Sequence, residues 1–146
     1  MKKFNFRLQK LLEIKQKLRD LQKIDLAKKA SEYNLEISKI NKLKEEKKKA
    51  IIEIKQIREI ENRKLYEEYI ISNEKMQKYK MMDAKEKEKP FKESLNKYFE
   101  KDREAKVLEK LFDKYTEEFR KSSIKEEEKE IDEIFSSKIN RGITNE

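Results

Sequence analysis

The stretch Lys125–Glu133, "KEEEKEIDE", gathers six carboxylates into nine residues. Carboxylates clustered on a helix are raw material for a di-metal site, but such sites pair them with an E-x-x-H ligand motif. The chain has no histidine, so that motif cannot form, and general acid–base catalysis near neutral pH loses its usual agent. A single glycine, Gly142, excludes a Walker loop or a dinucleotide fingerprint, each of which needs several. With no cysteine there is no disulfide framework, thiolate metal site or redox motif. The chain is therefore expected not to be an enzyme and to use neither cofactor nor metal. What its side chains offer is contact with other proteins, and the stretch "FNFRLQKLLEIKQ" (Phe4–Gln16) is the first to suggest it, with two phenylalanines and three leucines at helical spacing.

These residues must be positioned by very little core. Hydrophobic residues make up 35% of 146 positions and charged residues 48%, against roughly 45–50% apolar in ordinary domains. A coiled-coil seam needs only about two apolar positions in seven, so the supply fits a long narrow seam. Gly142 and Pro90 are the only strong breakers, and the chain cannot turn often. The start has no apolar core of the kind a secretory signal carries. Apolar runs such as Tyr69–Ile71 fall far short of the roughly 20 residues that span a bilayer. The expected compartment is the cytoplasm.

The spacing predicts helices throughout. Phe4, Leu8, Leu11, Ile14, Leu18 and Leu21 recur at threes and fours, and Leu26, Ala30, Tyr33, Ile37 and Ile40 repeat the pattern after a slip. Ile51, Ile54 and Ile57 resume it beyond "KEEKKK". The slip between Leu21 and Leu26 reads as a stutter in a left-handed supercoil. Ala105, Leu108, Phe112, Tyr115 and Phe119 form the stripe of the second half, followed by Ile124, Ile131 and Phe135. Ser123 with Glu126 reads as a capping box, so a kink or helix start is expected near Ser122, although the helix can also run straight through.

Two helical halves with narrow stripes are buried most economically by one fold-back. The expected fold is all-α, a long antiparallel two-helix coiled-coil hairpin, with kinks near Pro90 and Ser122. "ENRK" (Glu61–Lys64), "SNE" (Ser72–Glu74) and "DAKEKEKP" (Asp83–Pro90) compete for the turn, and symmetry favours Ser72.

At this point "MKKFNFRLQKLLEIKQ" resembles the opening of the FliJ family, coiled-coil proteins of bacterial flagellar type III export. "YEEYI" (Tyr66–Ile70), "AKVLEKLFDKYTEEF" (Ala105–Phe119) and "EEEKEIDEIFSSKINR" (Glu126–Arg141) are similar to further family segments in the same order. The resemblance implies an antiparallel hairpin like the central stalk of rotary ATPases, serving flagellum biogenesis and protein transport. Its implied partners are the flagellar export ATPase ring, the cytoplasmic domain of the export-gate protein FlhA, and export chaperones or substrates. It also implies a cytoplasmic protein held at the flagellar basal body, peripheral to the membrane through partners only. The Tyr66 element moves the expected turn to about 58–65. The whole then reads as one hairpin over 1–141, with helix one at about 4–58, helix two at about 65–140, and a flexible tail at 142–146.

By motif position the resemblance assigns Tyr66, Tyr69, Ile70 and Met76 to the export gate. Asn73 departs from it, being an amide where relatives often have an apolar residue. Phe6, Leu8, Leu11 and Leu12, with Asp132, Glu133 and Arg141, are assigned to the ATPase ring. Leu11 and Leu12 point about 100° apart on a helix. Phe4, Leu8 and Leu11 are accordingly expected inside, on the second helix near Phe119, with Phe6 and Leu12 outside. The alternative readings rest on charge and form. Residues 1–60 hold 18 Lys/Arg against 9 Asp/Glu, while 61–146 hold 21 against 22. That first half would suit a basic coiled-coil nucleic-acid binder, whose affinity would fall steeply with salt. A structural spacer is the third reading. Lysines interleaved with glutamates favour a solvated face over nucleic acid, so no nucleic-acid partner is expected.

Overall fold

The structure, a computed structural model, describes residues 3–144, with side chains over 3–142. Two long helices pack against each other as an all-α hairpin, α1 over Gln9–Ile54 and α2 over Ile60–Thr144. The described residues include no strand, and no described helix is long and apolar enough to cross a membrane.

The connection comes earlier than the family pattern suggested and is shorter, residues 55–59. Tight three-residue bonds finish α1, with the amides of Gln56 and Ile57 donating to the carbonyls of Glu53 and Ile54 at 3.0 and 3.3 Å. The Glu59 carbonyl then accepts from the Arg63 amide at 3.1 Å, which makes Glu59 the cap of α2. Its carboxylate also accepts from Asn62 Nδ2 at 2.9 Å. Glu61 in the first turn suits the positive end of the helix dipole. "ENRK", which contains no breaker, is therefore the first turn of α2. No described residue takes a positive φ, so the reversal requires no glycine.

The chain divides into two compact units, one of residues 1–17 with 102–146 and the other of residues 18–101. In the second, antiparallel pairing is written in its cross-links. Gln22 Nε2 donates to Ser94 Oγ at 3.0 Å, Tyr33 stacks on Phe91 at 5.5 Å, Asn73 Nδ2 donates to the Leu43 carbonyl at 3.0 Å, and Lys47 meets Glu74 at 3.0 Å. In the first, Lys15 Nζ pairs with Glu104 at 2.9 Å and Gln16 donates to Glu109 at 3.2 Å.

A continuous three–four series of covered positions runs along α1 through Leu12, Lys15, Arg19, Gln22, Leu26, Lys29, Tyr33, Glu36, Ile40, Leu43, Lys47 and Ala50, with Gln16, Asp25, Ala30, Glu32, Ile37 and Glu46 partly covered beside it. The predicted stripe Leu26–Ile40 lies in this seam. The earlier one does not: Leu11, Ile14, Leu18 and Leu21 are exposed, and the expected stutter is absent. The reason is the facing helix. α2 offers buried Ser94 there, whose hydroxyl is satisfied by Gln22, with Glu109 accepting from Gln16 and Glu104 pairing with Lys15 at the exposed edge.

α2 continues as helix through Pro90 and Ser122. It also continues through Gly142 to Thr144, so the tail expected at 142 is helical as far as it is described. Asn145 and Glu146 lie outside the described residues.

Candidate functional site

In the first unit the aromatic opening forms a core. Residues 3–8 precede α1, and their backbone turns into it through a 3.1 Å bond from the Gln9 amide to the Phe6 carbonyl. Phe6, Leu12 and Leu108 are buried together, with Phe4, Leu8, Leu111 and Phe112 packed around them. Phe6 meets Phe112 edge-on at 5.4 Å and Tyr115 at 5.9 Å, while Phe4 lies 5.4 Å from Phe119. Phe4 and Leu8 pack inward, Phe4 near Phe119, as expected, but the other three positions are exchanged. Phe6 and Leu12 are inside and Leu11 is 41% exposed. Phe4 and Phe6 are not helical, so a helical phase cannot assign their faces, and the seam register selects Leu12 over Leu11.

Asp132, Glu133 and Arg141 belong to the same unit but do not join this cluster. They lie on the outer stretch of α2, where every residue from Ile124 to Gly142 is exposed. The seven residues assigned to the ring are therefore split: Phe6 and Leu12 are buried and Leu8 half-buried, while Leu11 is exposed at the opening of the chain and Asp132, Glu133 and Arg141 on the outer stretch of α2. Exposed Ile14 beside Leu11, at helical spacing, was legible in the sequence only as seam.

In the second unit, α1 and α2 enclose an open hollow of about 400 Å³ beside the turn, lined by Ala50, Glu53, Leu65, Tyr66 and Tyr69 among others. Its lining is mostly apolar, with Glu46, Lys49 and Glu53 among the residues that form it. Tyr66 is half-buried, and its bond to Glu53 raises the phenol pKa, because the carboxylate acceptor favours the protonated ring and its charge opposes a phenolate. Tyr69 is 46% exposed and donates to Glu46 at 3.4 Å. Ile70 is half-buried in the seam, whereas Met76 is exposed. The four gate-assigned residues are thus split between seam (Tyr66, Ile70) and surface (Tyr69, Met76). Leu65, exposed and four residues before Tyr69, extends that surface. Its spacing from Tyr69 was the available signal. Asn73 is buried, where its amide bonds the Leu43 carbonyl and accepts from Gln77 at 2.7 Å.

Among the described residues, no group of histidines, cysteines or carboxylates is arranged to hold a metal ion. What the arrangement offers is apolar and aromatic surface edged with charge, suited to protein contact. No curated protein and no solved structure matches the chain. The family model of the flagellar FliJ protein matches residues 4–143. The match takes in the aromatic core, both helices and the exposed end of α2, and the chain belongs to the FliJ family, proteins associated with flagellar export.

Proposed function

We propose that this chain is a non-catalytic, stalk-like adaptor and chaperone between the flagellar export ATPase ring and the export gate. The observation that carries the reading is the family match over residues 4–143. The first unit faces the ring through Leu11 and the outer stretch of α2 with Asp132, Glu133 and Arg141. Phe6, Leu8 and Leu12 hold that surface from behind. The second unit faces the cytoplasmic domain of FlhA through Tyr69 and Met76, with Tyr66 and Ile70 anchoring them. Large aromatic area with a polar tip and a pliable thioether suit such a contact. The protein works in the cytoplasm at the flagellar base and reaches the membrane only through its partners, among which export chaperones or substrates also count.

Pulldowns with the purified ATPase and gate domain test this. Tyr69→Ala is expected to weaken gate binding about fivefold or more while leaving ATPase binding intact, and Leu11→Asp to do the reverse. Both positions are exposed, so circular dichroism should be unchanged. Unaltered affinity of both folded variants would overturn the surface assignments.

A further inference from the structure

The outer stretch of α2 has a pattern that its role in a hairpin does not require. From Ile124 to Gly142 every residue is exposed, including Ile131 at 64% and Phe135 at 65%. Ile124, Glu128, Ile131, Phe135, Lys138 and Gly142 nevertheless follow the alternating four–three spacing of a coiled-coil seam. The helix is already formed there as the continuation of α2, so the cost of nucleating it is not incurred again on binding.

Read in reverse, this seam complements itself. In an antiparallel copy centred between Ile131 and Phe135, Ile131 faces the partner's Phe135, Glu128 faces the partner's Lys138, and Ile124 faces the partner's Gly142. Each pair occurs twice, as two-fold symmetry demands. Gly142 has open space where a Cβ would stand, which leaves room for an isoleucine. The charge agrees. Residues 125–133 hold six acidic residues and two lysines, while 134–142 hold Lys138, Arg141 and no acid. Antiparallel pairing lays the acidic half on the basic half, whereas parallel pairing would set the acidic half on itself.

We propose that residues 124–142 pair with the same segment of a second copy as a short antiparallel coiled coil. The inference stands on the self-complementary pattern and does not depend on the ring assignment. Because the paired segment contains Asp132, Glu133 and Arg141, self-pairing and use of that surface by another partner exclude each other. Two Ile–Phe layers, two ion-pair layers and two Ile–Gly layers make a small interface, so dissociation is expected at about tens of micromolar.

Sedimentation equilibrium of the full chain, up to about 300 µM, tests it. Wild type is expected to dimerise reversibly. Glu128→Lys alone and Lys138→Glu alone should each weaken dimerisation about tenfold or more, and mixing the two variants should restore a heterodimer of wild-type strength. All these positions are exposed, so folding is not at stake. Orientation is read by cross-linking, since the chain has no cysteine. Ile124→Cys mixed with Gly142→Cys should form a disulfide, and neither variant should do so with itself. A chain monomeric throughout, a dimer indifferent to charge reversal, or self-cross-linking of either cysteine variant would overturn the proposal. If the chain is monomeric and amide exchange over 124–142 slows only when the export ATPase is added, the ring is the occupant instead.

Discussion

Asp25 shows how a polar seam is held together. Its Oδ2 accepts from Ser94 Oγ at 2.7 Å, and Ser94, only 3% exposed, also accepts from Gln22. The Ser94 bond lowers the Asp25 pKa below its usual 3.8; burial opposes the shift, and Lys29 and Lys97 assist it. A carboxyl whose folded value is depressed adds stability above its unfolded pKa and loses it as pH falls through the folded one. Asp25→Asn should therefore flatten the acid limb of the thermal midpoint, measured from about pH 5 to pH 2, while wild type falls more steeply. The composition of this network was visible in the sequence, but its function was not. Gln22, Asp25 and Ser94 read as solvated positions until the two helices are placed together, because hydrogen bonds between residues 69 or more apart leave no local trace.

Among the elements, α2 is notable for passing through Pro90 as one helix. Proline has no amide hydrogen, so the Glu86 carbonyl loses its bond four residues on, and the ring crowds the preceding turn. The Tyr33–Phe91 stack, with planes 5° apart, packs α1 against α2 beside that weak point. Pro90→Ala should restore the bond and raise unfolding stability by about 2 kcal/mol, read by urea denaturation. Sequence periodicity disclosed both helices because apolar residues at threes and fours can form no other regular element. Their ends were less legible. The turn contains neither glycine nor proline, and α1 begins after an aromatic segment whose spacing merely imitates a helix.

At the scale of the molecule, the two units differ in how much of their helix is covered. Over 18–54 and 60–101, α1 and α2 cover each other, whereas 124–142 has no covering segment among the described residues. Amide exchange at low-micromolar concentration should therefore be slowest at seam positions such as Ile40, Ala84 and Ser94, and fastest across 124–142, by about a hundredfold or more. Uniform protection along α2 would contradict that division. Surface left uncovered by the fold is surface available to other proteins.

Composition and spacing alone determined that this chain is helical, has no histidine or cysteine for the common catalytic and metal motifs, and folds back on few breakers, while four segments in order carried its resemblance to FliJ proteins. Composition and spacing could not show which face of α1 turns inward. Leu11, Ile14, Leu18 and Leu21 make the better apolar stripe on an isolated helix, yet Leu12, Lys15, Arg19 and Gln22 form the seam. Register belongs to a pair of helices: buried Leu108 packs with Leu12 and buried Ser94 bonds Gln22, and those contacts exist only once the chain has closed on itself.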